Sequence, residues 1–156
     1  MKRTVLLLLM VTGTWPIFAQ NDFLIKENCS NNRNNWEIIN KNGTKSYLNN
    51  NKYYMQCGNN YASYRFWIQS PIHTTGHFEI EAKFSKLTGP SKSHNGIVWG
   101  ANAWGNSYNF TVSKNGYYKI WGYKNEKIFY IQKLRKTNKI NTRGTNLLKI
   151  KKSENQ

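Results

Sequence analysis

The feature that most constrains the fold of this chain is a pair of alternating segments joined by a tight turn between residues 106 and 123. In the first segment Phe110 and Val112 alternate with polar residues, which is the period of a β-strand with one buried face. Lys114-Asn115-Gly116 follows as a turn, and Ile120 belongs to the apolar positions of the second segment. The pattern predicts a β-hairpin.

Two registers compete for this hairpin. A two-residue Asn-Gly turn would place Phe110 opposite Trp121. A three-residue loop, with Gly116 in the left-handed region as a bulge, places Phe110 opposite Ile120. We expect the second register because it sets apolar residues against each other on one face, and a slip of one residue would turn that set to solvent.

The other face of the hairpin is polar but carries large aromatic side chains, which is unusual for a face that only has to stay in water. Flat rings pack against the apolar C–H faces of sugars, while amide and ammonium groups satisfy sugar hydroxyls or carboxylates. We therefore interpret this face as a candidate ligand-binding site. Its candidate residues are Asn109, Tyr117, Lys119, Trp121 and Tyr123. Trp99 and Trp104 are two further aromatic residues that we consider as exposed candidates. The alternative for the tryptophans is structural: Trp121 packs under a loop, and Trp99 and Trp104 fill the core.

The N-terminus has the composition of a secretory signal peptide. Lys2 and Arg3 precede an apolar run at residues 5–11, and Ile17-Phe18-Ala19 is a candidate cleavage site. The apolar run is too short to span a bilayer. We expect residues 1–19 to be removed and the remaining chain, which has no transmembrane segment, to be secreted or periplasmic.

Residues 20–156 are expected to form one domain, since single domains usually contain roughly 100–200 residues. Short alternating segments between Asn- and Gly-rich turns, with little helix signal, predict an all-β sandwich. The second clear alternation is the segment 78–87. Further strands are expected at residues 36–39, 45–48, 52–57, 61–69, 127–134 and 147–150.

The chain is strongly basic, with 23 Lys and Arg against 7 Asp and Glu and a formal net charge of +16. One interpretation is a cationic surface for an acidic partner, such as an anionic polysaccharide. The other is a general abundance of Lys and Asn, since the charges are scattered except in the segment 133–152. Secretion argues against nucleic acid as the normal partner.

Cys29 and Cys57 are the two cysteines of the chain. In an exported protein an even count favours a disulfide. Such a bridge would stabilise the fold by roughly 3–4 kcal/mol on a chain-entropy estimate. The alternative is two free thiols.

Four segments together carry a family resemblance: FEIEAKFSKLTG, NGIVWG, NSYNFTVSKNGYYKIWGYKN and INTRGTNLLKIKK. The set resembles the concanavalin A-like lectin and glucanase superfamily, in particular exported bacterial domains of the 3-keto-disaccharide hydrolase or laminin-G type. The resemblance implies an antiparallel two-sheet jelly-roll sandwich. The family continues with closing strands after the segment 146–150, whereas this sequence ends at Gln156. We therefore expect a sandwich that lacks its last strands or a truncated sequence.

Catalysis has little support in the sequence. A glycosidase needs two carboxylates about 5–10 Å apart. Glu79 and Glu81 share a strand face and resemble the nucleophile strand of the family's glucanases, but Phe84 stands where those enzymes have the acid/base glutamate. Lys83 on the same face would keep both carboxylates ionised. We interpret the pair as an outward polar stripe and expect no catalytic residues.

Metal binding has little support either. Asp22 is the one aspartate, which leaves few anionic ligands for calcium. His73, His77 and His94 show no metal-binding spacing. We expect neither a metal nor a cofactor.

The sequence thus predicts an exported, non-catalytic, carbohydrate-binding-like β-sandwich, with an acidic polysaccharide as one candidate partner. Two alternatives stay open. One is a protein-interaction or envelope-structural module of the same fold. The other is a fragment of a glycoside-processing enzyme of the 3-keto-disaccharide hydrolase type.

Overall fold

The computed structural model describes residues 25–58, 64–66, 68, 76–102 and 105–153. Within these ranges the chain is all-β, with nine strands in three antiparallel sheets and no helix. The strands are β1 (Ile39–Lys41), β2 (Thr44–Asn49), β3 (Lys52–Gln56), β4 (Phe78–Ser85), β5 (His94–Asn102), β6 (Asn106–Ser113), β7 (Tyr117–Lys124), β8 (Lys127–Lys136) and β9 (Thr145–Lys152). The predicted all-β class is confirmed, and the jelly-roll strand order stays a prediction.

Some expectations fall on residues outside the described ranges. These are the signal peptide at residues 1–19, Asp22, His73 and Trp104.

The central sheet has the strand order β5-β6-β7-β8 and contains the predicted hairpin. Phe110 lies opposite Ile120. Gly116 has a φ of 88°, and its N–H donates to the Ser113 carbonyl at 3.0 Å. The three-residue loop with a left-handed glycine, and the register that follows from it, are therefore confirmed.

Three other hairpins close on two-residue loops in which both residues have positive φ. Asn42-Gly43 joins β1 to β2, Asn50-Asn51 joins β2 to β3, and Asn125-Glu126 joins β7 to β8. Such loops match the right-handed twist of the flanking strands, and Asn tolerates the left-handed region better than most residues. The abundance of Asn in this chain therefore has a local structural use at its turns.

The core lies between the central sheet and the two-stranded sheet β4-β9. Ile97, Val112 and Leu148 are buried and form its centre. The alternating burial along β4 confirms the alternation predicted for this segment. Burial of each large apolar side chain contributes about 1.5–3 kcal/mol. The partly buried side chains packed against this centre are Ile80, Ala82, Phe84, Trp99, Phe110, Tyr118, Ile140 and Ile150.

A row of aromatic rings crosses the core side of the central sheet. Trp99 stacks on Tyr108 at 5.4 Å between centroids, and Tyr108 meets Phe129 edge to face at 5.7 Å. Gly122 lies between Tyr108 and Phe129 in the ladder, and a Cβ there would come within 2.5 Å of the Phe129 ring. Phe129 therefore occupies space that the glycine leaves empty. Trp99 packs on the core side, as one of the two sequence interpretations expects.

The predicted strand at 61–69 is wrong for the residues of it that are described. Residues 64–66 and 68 have no strand geometry. Instead this segment makes side-chain contacts: the Phe66 ring meets Tyr53 edge to face at 5.9 Å, and the Tyr64 hydroxyl donates to the Glu37 carboxylate at 3.2 Å. Its aromatic residues are of the kinds typical of strands, but the Phe66 ring instead packs on the sheet that contains Tyr53.

The irregular segment before β1 is organised by Glu27. Its carboxylate accepts hydrogen bonds from the Cys29 N–H at 2.5 Å, from the Asn34 amide at 2.6 Å and from the Trp36 indole at 2.9 Å. Burial acts to raise the pKa of Glu27. The three donors and the charge of Arg33 outweigh it, so that the pKa lies below its usual value. Glu27 thereby holds the N-terminal loop as a hydrogen-bonded unit.

Candidate functional site

The candidate site lies on the face of β6 and β7 that points away from the core. The ladder places Asn109 opposite Trp121 and Thr111 opposite Lys119. Because side chains alternate along a strand, these residues lie on the side opposite Phe110 and Ile120. Tyr117 and Tyr123 share this side. The structure thus brings the predicted candidates together on one face of the hairpin.

The aromatic rings of this face are held next to cationic groups. The Lys119 ammonium lies 4.8 Å from the centroid of the Trp121 ring, and the Lys136 ammonium lies 6.0 Å from that of Tyr117. Trp121 and Tyr123 meet at 67° with centroids 5.4 Å apart. A cation over an aromatic face contributes about 0.5–1 kcal/mol at an exposed position. The face therefore combines flat apolar surface with positive charge.

Small polar residues of β6 form the floor beneath these rings. Ser107, Asn109 and Ser113 are only 1–3% exposed. The Asn109 amide donates to the Trp121 carbonyl and to the Ser107 hydroxyl, both at 3.4 Å. β6 is an inner strand, so longer side chains of the neighbouring strands extend over it. Asn109 thus supports the strand that carries Trp121, whereas Tyr117, Lys119, Trp121 and Tyr123 are partly exposed.

Three polar atoms on this face have no hydrogen-bond partner within the described residues. They are His94 Nδ1, Thr111 Oγ1 and Trp121 Nε1, and all three are shielded from solvent. Burial lowers the pKa of His94, and the charge of Lys119 lowers it further, while a hydrogen bond with the Thr111 backbone opposes them. The described residues leave this hydrogen-bonding capacity unused, and a buried polar atom without a partner costs free energy.

Arg65 borders this face at its Tyr123 end. Its guanidinium carbon lies 5.3 Å from the centroid of the Tyr123 ring, and the residue is 9% exposed. Sequence reasoning missed Arg65, because it expected residues 61–69 to form a strand. The one signal was a single arginine within the aromatic run YASYRFW.

The carboxylates of Glu79 and Glu81 share a lysine across the β4-β9 ladder. The Lys149 ammonium lies 2.7 Å from Glu79 and 3.9 Å from Glu81, and all three side chains are about half exposed. The hydrogen bond to Glu79 raises the pKa of Lys149. The pair faces outward, and its partner is Lys149 from β9, whereas the sequence suggested Lys83 from β4 itself.

Cys29 and Cys57 are separate thiols in this structure. Burial raises the pKa of the Cys29 thiol, the Glu27 carboxylate raises it further, and a hydrogen bond with the Tyr53 backbone opposes them. Tyr53 lies four residues before Cys57, a span of roughly 13 Å along an extended strand. A disulfide needs Cα atoms within about 4.4–6.8 Å. The structure therefore does not show the predicted bridge, which stays a prediction.

No other chemistry stands out in the part of the chain that the structure describes. No group of three or more His, Cys, Asp and Glu residues could hold a metal ion there. One end of the two packed sheets has a cleft of about 10 Å³, which is large enough for about one water molecule. Residues such as Lys86, Lys114 and Asn146 line this cleft. None of the described residues form a helix long and apolar enough to cross a membrane.

Comparisons of the chain with protein-family models, with curated proteins and with solved structures found no match.

Proposed function

We propose that the chain is an exported, non-catalytic carbohydrate-binding module of concanavalin A-like jelly-roll type, and that it binds acidic polysaccharide on the Trp121 face. The observation that carries the proposal is the Lys119 ammonium 4.8 Å from the Trp121 ring centroid on the side of the sheet opposite the core. The packing of β4-β9 against the central sheet supports the two-layer part of the proposal.

The ring of Trp121 offers a flat apolar surface for the C–H face of a sugar. Tyr123 meets it at 67°, so the two rings form an angled surface rather than one plane. Sugars pack on such rings while their hydroxyls need polar partners. The Trp121 indole N–H and the Thr111 hydroxyl have unused hydrogen-bonding capacity.

The charge of the face favours an acidic glycan over a neutral one. Lys119 and Lys136, which are on the candidate face, both lie over rings of that face. A uronate or sulfate group would pair with such cations, and these contacts weaken as salt screens them. A neutral glycan would gain hydrogen bonds from these groups but no attraction between opposite charges.

Isothermal titration with polygalacturonate and with neutral galactan tests the proposal. We expect polygalacturonate to bind, galactan to bind at least tenfold more weakly, and the affinity for polygalacturonate to fall steeply between 50 and 500 mM salt. The Trp121→Ala variant should lose binding. Tyr47→Ala is the matched control, because Tyr47 is a partly exposed ring (45%) on the separate sheet β1-β2-β3.

Two results would overturn the proposal. One is the absence of binding to any member of a panel of acidic and neutral glycans. The other is binding that Trp121→Ala retains in full. Hydrolysis of a disaccharide or polysaccharide that Glu79→Gln abolishes would instead support the enzyme-fragment alternative.

A protein-interaction module of the same fold is a second candidate. The observation that favours it is the outer strand of the central sheet, β8, where four large apolar side chains are more than half exposed.

A further inference from the structure

We propose that the outer edge of β8 binds an extended acidic segment of a partner polypeptide, which adds to the central sheet as a fifth strand. This inference concerns the backbone edge of β8 and a different ligand from the carbohydrate proposal, and it does not depend on that proposal. Ile128 and Tyr130 lie beside Tyr123 and Trp121 on the same face of the sheet.

The first support is the position of β8 in the sheet. It is ten residues long, the longest strand described, and it is last in the order β5-β6-β7-β8. Among the described residues no strand pairs with its outer side. An edge strand presents backbone N–H and C=O groups that another chain can pair with, which is the basis of strand addition in peptide recognition.

The second support is the apolar exposure of this strand. Ile128 is 53% exposed, Tyr130 51%, Ile131 61% and Leu134 57%. Single exposed apolar residues are ordinary, but several in one short segment mark an interaction surface. Because successive side chains point to opposite faces, an added strand could contact apolar groups on both faces of the edge.

The third support is charge, which selects the kind of partner. β8 carries Lys127, Lys133, Arg135 and Lys136 and no acidic residue. Lysines on an edge strand oppose pairing with an identical edge. A second copy of β8 would place four cations against four cations, whereas an acidic strand would be attracted by the same groups. The occupant is therefore an acidic segment of another polypeptide rather than a second copy of this chain.

The regular part of the strand is where pairing is expected to begin. The ladder with β7 is regular from Lys127 to Tyr130, and its register shifts next to Ile120, which pairs with Gln132. Bulges twist an edge and interrupt further pairing. Ile128 therefore lies at the centre of the expected contact, and Ile131 lies at its margin.

The test uses a fluorescein-labelled peptide of alternating Glu and Val, ten residues long, and fluorescence anisotropy. Two further peptides serve as probes: one with Lys in place of Glu, and one with alternate backbone nitrogens methylated so that they cannot donate. We expect the Glu peptide to bind the full chain at least tenfold more tightly than either. Hydrogen exchange of the outward-pointing amides of β8 should be fast in the free protein and slower with the Glu peptide, whereas the amides bonded to β7 should be protected in both.

Three variants complete the test. Ile128→Glu and Ile131→Glu should each weaken binding of the Glu peptide at least tenfold, through charge repulsion and loss of apolar contact. Leu87→Glu is the matched control, because Leu87 is 67% exposed outside any strand, and it should bind as the unaltered protein does. Circular dichroism establishes that each variant is folded, and having two variants on β8 keeps the test decisive if one of them unfolds.

Several results would overturn the inference. Equal binding of the methylated peptide would show adsorption by charge without strand pairing. Outer-edge amides already protected in the free protein would show that the edge is covered. A dimer of the unaltered chain that Ile128→Glu dissociates would identify a second copy as the occupant. Absence of any peptide binding would refute the inference outright.

Discussion

Replacement of Gly96 by alanine is expected to disrupt the central sheet. Gly96 is paired with Thr111 in the β5-β6 ladder. An ideal Cβ at Gly96 would lie 2.8 Å from the Thr111 Cα and closer still to the Phe110 carbonyl oxygen. Two carbon atoms rest at about 3.5–4.0 Å, so that β5 or β6 must move by about 1 Å. The obstruction is backbone, which no side-chain rotation can relieve.

The size of the effect follows from what that movement breaks. Overpacking costs about 1–3 kcal/mol, and the loss of two ladder hydrogen bonds adds about 0.5–1.5 kcal/mol each. The movement also separates Ile97, on β5, from the core. We expect Gly96→Ala to lower the free energy of unfolding by about 3–5 kcal/mol and the Tm by roughly 10 °C or more.

Urea unfolding followed by circular dichroism measures the effect, with Gly105→Ala as the matched control. A Cβ at Gly105 meets no atom within 4 Å, and this glycine is not among those with positive φ. We expect the control to be as stable as the unaltered protein, or up to about 1 kcal/mol more stable because alanine restricts the unfolded chain. Equal stability of the two variants would refute the β5-β6 register.

Three further substitutions test the turns and the N-terminal loop by the same unfolding assay. Glu126→Gly should stabilise the protein by about 0.5–1 kcal/mol, because Glu126 has a φ of 64° and glycine removes that strain; a loss of stability would contradict the two-residue turn. Gly116→Ala should destabilise by about 1–2 kcal/mol, because its φ of 88° disfavours any L side chain, and an unchanged value would contradict the bulge. Glu27→Gln should destabilise the protein by about 1 kcal/mol at pH 7. The substitution removes the charge that strengthens the hydrogen bonds from Asn34 and Trp36 to this partly exposed carboxylate. The pKa of Glu27 is lowered on folding, so its contribution is complete above the unfolded value of about 4.3 and is lost as pH falls through the folded value. The variant and the unaltered protein should therefore converge in acid, and a gap that persists at pH 2 would contradict this role.

Local patterns predicted the central hairpin because its determinants are local. The alternation around Phe110 requires one buried face, and Gly116 permits the left-handed bulge, so both the register and the loop length follow from residues close in sequence. The separation of Trp121 from Ile120 follows from the same period. β4 was predictable for the same reason.

Features that depend on distant residues could not be predicted in this way. The segment around Arg65 has the composition of a strand, yet its rings and guanidinium contact Tyr53 and Tyr123, which lie in different sheets. The sequence predicts that Asn109 is an exposed amide of the candidate site, whereas the structure buries it. Its burial follows from the inner position of β6 in the sheet, which no local pattern indicates. In most pairs of the β4-β9 ladder the two residues are more than sixty positions apart in the sequence. No local pattern specifies such a pairing.

One face of the β6-β7 hairpin builds the core, and we propose that the other face, around Trp121, receives an acidic glycan. The most direct measurement is the indole N–H spectrum of ¹⁵N-tryptophan-labelled protein during titration with polygalacturonate, with the Trp121 signal assigned from its absence in Trp121→Phe. We expect the Trp121 signal to shift as ligand is added and the signal of Trp99, on the core side, to stay unchanged. An unmoved Trp121 signal, or a shift confined to Trp99, would contradict it.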